Sequence, residues 1–263
     1  MKRREFITRG SLGALGLSIG DISVAASAGN QTTDKRRKIL ISGGGLNKSF
    51  INYLIKLTGK KKPRVCFLPT AAADDPRVAL YWYQLCAGLD MVPFVQNMFI
   101  TSYYMKESFE DVLLSMDGIV VGGGNTLNML AIWKAQGIDK VLYRAWEKGI
   151  VLSGGSAGSL CWFEEGTTDS RPKELTKIEC LGFLEGSHSP HYDGEEERRP
   201  RYHQLIRSGE LKPGYAVDNN AAILFIDRKV SKVIASDKNS NAYYIEMVDG
   251  KIRESVLKPD VIL

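Results

Sequence analysis

An α/β fold is predicted, with a mostly parallel sheet covered by helices on both faces and an antiparallel C-terminal extension. Three observations predict it. From Lys38 onward, short apolar runs alternate with longer segments of helical spacing. Three of those runs end in glycine clusters, at Gly43-Gly44-Gly45, Gly122-Gly123-Gly124 and Gly154-Gly155. The last third of the chain changes to alternating β-branched and aromatic residues broken by turn signals.

In chain order, "KILISGG" reads as a strand ending in glycines. The segment Leu46 to Leu57 follows with an apolar stripe at Phe50, Ile51, Leu54, Ile55 and Leu57, which is helical spacing. "RVCFLPT" is the next strand and Val78 to Leu89 the next helix. "MVPFVQN" carries a proline, which suits a strand start or a sheet edge. A helix over Glu107 to Met116, a strand at "GIVVGGG", helical material from Thr126 to Lys148 and a strand at "GIVLSGG" complete the alternation. The stretch from Gly214 to Leu257 has turns at Asn219-Asn220, Asp227-Arg228, Lys238-Asn239 and Asp249-Gly250. It reads as an antiparallel meander that extends the same sheet or packs on its edge.

The chain of 263 residues is 44% hydrophobic and 25% charged, an ordinary globular composition. Its formal net charge of +5 comes without a Lys/Arg stripe interleaved with aromatics, so nucleic acid is not an expected partner. Residues 1–28 read as a targeting segment. Arg3-Arg4 and Phe6-Ile7 precede a Gly/Leu-rich apolar stretch, and Ala26-Ser27-Ala28 is a cleavage signal of the A-x-A type. The pattern resembles a twin-arginine signal peptide, which makes the twin-arginine export machinery a partner and the periplasm or extracellular space the destination. The apolar stretch is too short and glycine-rich for a stable membrane span, which needs about 20 apolar residues. Residues 29–37 then form a flexible linker, and 38–263 a single α/β domain. The four cysteines, at 66, 86, 161 and 180, lie scattered in apolar segments with no C-x-x-C, and read as buried small hydrophobes. No metal-ligand cluster is visible, and no cofactor is expected.

In an open parallel sheet, ligands collect at the carboxyl ends of the strands, so the three glycine turns should build the cleft. Within "VLSGGSAGSLCWF", Ser156 has small residues on both sides at a strand-to-helix turn, the arrangement that lifts a nucleophilic hydroxyl clear of a sheet. A serine needs a base, and the base an orienting group. Only three histidines exist, at 188, 191 and 203. His191, flanked by Pro190 and Tyr192 where an apolar strand runs into a polar loop, is the expected base, and His203 reads as a helical surface or packing residue. For the acid, Asp218, Asp193 and Asp169 are all candidates, and spacing alone does not rank them. An oxyanion would be held by the amide of Ala157 and one from Gly123 or Gly124. The "VGGGNTLNML" turn lacks the Lys-Ser/Thr pair of a P-loop and the spacing of a dinucleotide site. A late histidine, as α/β-hydrolases have, is also missing.

"IVVGGGNTLNML", "VLSGGSAGS", "SPHYDGE" and "GYAVDNNAAILF", in that order, resemble the dipeptidase E and cyanophycinase family of serine peptidases, over essentially all of residues 38 to 250. The resemblance implies a class I glutamine amidotransferase-like fold and a serine-type hydrolase working through an acyl-enzyme on a small peptide substrate, short or acidic. It implies Ser156 as nucleophile, His191 as base and Asp218 as acid. The oxyanion amides become those of Gly124 and Ala157, and Asn125 lines the cleft. Arg198, Arg199 and Arg201 could clamp a substrate carboxylate, or form a helix surface with paired charges. The alternative function is a non-catalytic binding protein that retains an amidotransferase-like cleft. Glutamine amide hydrolysis is disfavoured, since the only nearby cysteine, Cys161, lies five residues past the elbow.

Overall fold

A computed structural model describes residues 36–262. The expected signal segment and most of the linker lie outside the described residues. The parallel core consists of β1 (Lys38–Ser42), β2 (Arg64–Leu68), β3 (Val92–Val95), β4 (Gly118–Val121) and β5 (Val151–Gly155), ordered β1-β5-β4-β2-β3. The crossovers carry α1 (Lys48–Leu57), α2 (Pro76–Cys86), α3 (Phe109–Leu114), α4 (Thr126–Gln136) and α5 (Ile138–Glu147).

Apart from Ser153 within β5 and polar residues at the strand ends, the strand residues are apolar because both faces are covered. Ile39, Ile41, Cys66, Leu68, Ile119 and Val121 point into one core, where Met129, Leu130 and Trp133 of α4 and Leu142 and Trp146 of α5 pack. Their neighbours Leu40, Val65, Phe67 and Val120 point into the other, against Phe50, Ile51 and Leu54 of α1 and Trp82 of α2. β3, with Pro93, is the edge strand, as its proline suggested.

Helix starts follow side-chain caps. Asn47 Oδ1 accepts from Phe50 N at 2.9 Å, Asp75 and Pro76 open α2, and Ser108 and Asp111 form a reciprocal capping box on α3. The helical material expected from Thr126 to Lys148 is two helices. Gly137 turns left-handed (φ 73°), which ends α4 and starts α5.

After β5 come α6 (Ala157–Leu160), β6 (Phe163–Thr168), β7 (Thr176–Glu179), β8 (Leu184–Ser189), α7 (Arg198–Arg207), β9 (Gly214–Val217), β10 (Ala221–Ile226), β11 (Lys229–Ala235), β12 (Ala242–Val248), β13 (Lys251–Leu257) and β14 (Asp260–Val261). The C-terminal meander divides between two sheets instead of extending one. β10 pairs antiparallel with β1, and β11 and β14 follow it, giving eight strands among the described residues. β9, β12 and β13 join β6, β7 and β8 in a second sheet ordered β13-β12-β9-β8-β6-β7. The chain changes sheet at the polar turns 218–220 and 236–241. All four cysteines are free; Cys66, Cys86 and Cys161 are buried, and burial pushes the Cys66 and Cys86 thiols up to about 12.

Candidate active site

Ser156 stands between β5 and α6 with φ 56° and ψ −122°, a conformation that costs a non-glycine residue on the order of 1–3 kcal/mol and is held by its surroundings. The neighbours are small because the backbone leaves no room. A Cβ on Gly158 would lie 2.1 Å from the Val121 carbonyl oxygen. Gly123 faces the serine, since a Cβ built there would lie 3.5 Å from Ser156 Oγ. Gly124 has φ 136° and rests on Ala71, where a side chain would meet the Ala71 carbonyl at 2.3 Å.

β8 delivers His191 from the other sheet. Its own backbone is left-handed (φ 54°), its N–H donates to Gly43 at 3.1 Å, and the next N–H, that of Tyr192, donates to Val217 at 3.2 Å. Its imidazole lies with Nε2 2.8 Å from Ser156 Oγ and Nδ1 2.6 Å from Asn219 Oδ1. An amide oxygen only accepts, so Nδ1 carries the hydrogen and Nε2 presents its lone pair to the serine. Ser156 and His191, 35 positions apart in the chain, meet as the sequence reading expected.

The third partner differs from the expectation. Asn219, not Asp218, touches His191. Asp218 is buried at 3% exposure, and its Oδ2 accepts from Asn241 N at 2.7 Å and Tyr243 Oη at 3.3 Å, while Oδ1 is buried with no partner among the described residues. The physical reason is the turn that follows β9: the Asp218 carbonyl accepts from Ala221 N at 3.0 Å, the Asp218 carboxyl is held by Asn241 and Tyr243, and Asn219, inside the turn, presents its amide to the histidine. Asp193 supports Asn219 from behind, its Oδ1 accepting the Asn219 N–H at 2.7 Å. Asp169 is exposed and, among the described residues, pairs with Arg198 at 3.8 Å, away from His191. Asn125 caps α4 through its Oδ1 (2.9 Å to Asn128 N) and holds Ser170 O at 3.2 Å, tying two cleft loops together. Ala157 opens α6 directly after the serine.

The arginines after His191 are engaged within the chain. Arg198 is 2% exposed and pairs with Glu195 at 2.6 Å, Arg199 pairs with Glu254, and Arg201 pairs with Glu174 at 3.3 Å. His188 is buried, 2.9 Å from both Ser159 Oγ and the Tyr215 carbonyl, and Ser159 Oγ donates to the Ser156 carbonyl at 2.7 Å. It buttresses the elbow from below.

Burial drives two titrations in opposite directions. It pushes Asp218 up to about 6, helped by Asp193 and opposed by the bonds from Asn241 and Tyr243. It pulls His188 down to about 3. Folded Asp218 holds its proton more tightly than unfolded, so its contribution to stability is full below pH 3.8 and is lost as pH rises through about 6. His188 does the reverse, contributing fully above 6.5 and losing that as pH falls toward about 3. Between pH 4 and 6 the two slopes, each on the order of 1.4 kcal/mol per pH unit, oppose each other. Asp218→Asn removes one of them. Its melting temperature is expected to fall more steeply than the wild type's on acidification from pH 6.5 to 4; parallel curves would contradict the burial assignment.

The family model described as peptidase family S51 matches residues 39–233, a span that contains Ser156, His191 and Asn219. The chain is 42% identical over 221 residues, 82% of its length and 94% of the relative's, to the uncharacterized peptidase YgaJ of Bacillus subtilis. It is 23% identical over 198 residues, 72% of its length and 91% of the relative's, to the uncharacterized peptidase Lin0382 of Listeria innocua. Its fold is similar to the crystal structure of a peptidase from an acI-B1 Actinobacterium, with TM-score 0.67, 16% identity, and coverage of 86% of this chain and 96% of that one. It is also similar to a putative peptidase E protein from Listeria monocytogenes, with TM-score 0.56, 20% identity, and coverage of 74% and 97%. Peptidase E-like neighbours of the glutamine amidotransferase-like fold accord with the two sheets and the elbow between them. With the family match running over most of the described residues and a relative at 42% identity, the chain belongs to peptidase family S51.

Proposed function

We propose that this peptidase is serine-type and cleaves short peptides through Ser156, His191 and Asn219. The observation that carries the reading is the imidazole held 2.8 Å from an Oγ raised on a strained elbow. Ser156 Oγ attacks the peptide carbonyl carbon while its proton passes to His191 Nε2. The oxyanion is received by the amide of Ala157 and one from the Gly123-Gly124 turn. The imidazolium then gives its proton to the leaving amine. Water, activated by the same imidazole, releases the acyl group from Ser156. Asn219 keeps the Nδ1–H engaged throughout, so Nε2 is always the atom that exchanges protons. A neutral amide orients the ring but adds less charge stabilisation than a carboxylate, and Asp193, bonded to the Asn219 backbone, stands behind it.

The substrate end follows from charge. The arginines that could have clamped a carboxylate are engaged by the chain's own acids, whereas Asp193, whose Oδ1 accepts the Asn219 N–H, is exposed on the loop two residues past His191. That arrangement favours the protonated amino terminus of a short peptide. The test is turnover of dipeptides beginning with Asp, Glu, Ala or Leu, each free and N-acetylated. Free dipeptides are expected to be cleaved, and acetylation to lower kcat/KM about tenfold or more, the scale of a hydrogen bond to a charged group. Equal turnover of the acetylated forms contradicts amine recognition. Hydrolysis of none of the dipeptides contradicts a short-peptide substrate.

A further inference from the structure

We infer that Tyr192, clamped through its hydroxyl by Glu254 and His203, is the positioning residue for His191. By this linkage β13, which lies beyond the residues matched by the family model, reaches the chemistry. The inference rests on the proposed serine-type reaction.

His191 adopts a left-handed backbone that a side-chain-bearing residue keeps only if its neighbours are fixed. Tyr192 is such a neighbour. Its N–H donates to Val217, and its ring is 2% exposed, 5.1 Å from the Tyr243 ring and 6.4 Å from that of Tyr202. Its hydroxyl donates to Glu254 Oε2 at 2.6 Å and lies 2.8 Å from His203 Nε2, which is itself 3.1 Å from the same carboxylate oxygen. A carboxylate only accepts, so Nε2–H of His203 is shared between the phenol oxygen and Glu254, and the phenol proton goes to Glu254. The tyrosine hydroxyl is thus satisfied both as donor and as acceptor.

Arg199 completes the clamp. Its guanidinium pairs with both oxygens of Glu254 and lies 5.0 Å from the Tyr192 ring and 5.3 Å from that of Tyr243. The charge states agree with this arrangement. Burial, with Glu254 beside it, pushes the Tyr192 hydroxyl up and keeps it a donor. Burial would raise Glu254, but the bonds from Tyr192 and Arg199 outweigh it and hold the carboxylate below its ordinary value.

Tyr192 is buried and cannot touch a substrate at Ser156, so its effect passes through the single peptide link to His191. Adjacent Cα atoms are about 3.8 Å apart, so a ring freed to shift carries the imidazole with it. Proton transfer across the 2.8 Å Ser156–His191 contact is sensitive to such shifts. The loss should therefore appear in the rate of bond formation at Ser156 and not in reagent binding.

The test uses the full chain, Tyr192→Phe and Glu254→Gln, with a fluorophosphonate as probe and labelling at Ser156 resolved into kinact and KI. Circular dichroism and melting establish that each variant is folded at the assay temperature. Should Tyr192→Phe fail to fold, Glu254→Gln, which keeps the side chain's shape, decides alone. Both are expected to lower kinact about tenfold with KI changed by less than about twofold, and the double variant to be no slower than the slower single one, because one linkage is broken twice. Folded variants with wild-type kinact, or with a raised KI and unchanged kinact, overturn the inference. Failure of the underlying reaction looks different: the unmodified protein then takes up no label at Ser156, and both readings fall together.

Discussion

Ser156→Ala and His191→Ala are each expected to reduce peptide turnover by about 10⁴-fold or more, and the double variant to be hardly worse than either single one. Members of a nucleophile–base pair act as a unit, so removing either leaves only what substrate binding and the oxyanion amides supply. The geometry makes the case specific. Nε2 of His191 faces Oγ at 2.8 Å, and the other two histidines are engaged elsewhere, His188 beneath the elbow and His203 on Tyr192 and Glu254. Neither can move in as a replacement base. Steady-state turnover of the preferred dipeptide measures the effect. Losses below about tenfold in either variant, or losses that multiply in the double variant, would mean the two residues do not form one catalytic unit.

The second large effect separates Asn219 from Asp218. Asn219→Ala removes the acceptor of the Nδ1–H and frees the ring to rotate and to change tautomer; turnover is expected to drop on the order of 100-fold, within the range for disabling general-base catalysis. Asp218→Asn keeps an oxygen for Asn241 and Tyr243 and leaves the imidazole untouched, so turnover should stay within about threefold, an effect below 1 kcal/mol. Asn219→Asp is the informative third variant. A carboxylate on Nδ1 favours the imidazolium, so activity is expected to persist with the acidic limb of the kcat/KM profile moved to higher pH, since the base must be neutral to accept a proton. If Asp218→Asn were the damaging change and Asn219→Ala the mild one, the assignment would be reversed.

The parts of the site readable in the sequence were those with local causes. Ser156 was legible because a strand-to-helix elbow needs small residues on both sides, and the close approach of Gly158 to Val121 shows why. His191 was legible because the chain has so few histidines and this one follows a proline at a strand end. The orienting group was not, because it depends on how the turn closed between Asp218 and Ala221 aims two consecutive polar residues, Asp218 and Asn219, which sequence spacing does not fix. A signal was present in the second polar residue at the same strand end, whose amide oxygen can accept a hydrogen bond as a carboxylate does.

The fold shows the same division. The continuous apolar runs of β1, β2 and β4 announced a sheet covered on both faces, and the structure has their side chains alternating between two cores. The meander announced antiparallel strands but not their partners. β10 pairs antiparallel with β1, whereas β9 departs from the antiparallel expectation on one side, pairing parallel with β8 and antiparallel with β12, and the turn at 218–220 lies between them. That turn both separates the sheets and places Asn219 against the histidine. Arg198 looked like surface in a charge-rich helix and is buried, because Glu195 three residues earlier neutralises it in place.

The proposed reaction requires that folding make one hydroxyl in this chain nucleophilic. Reaction of the full chain with a fluorophosphonate, followed by mass spectrometry of the digested protein, measures that most directly. A single adduct is expected on the peptide carrying Ser156, absent from His191→Ala; an unmodified Ser156 in the folded wild-type protein, or an adduct that persists undiminished without His191, would overturn the proposed reaction.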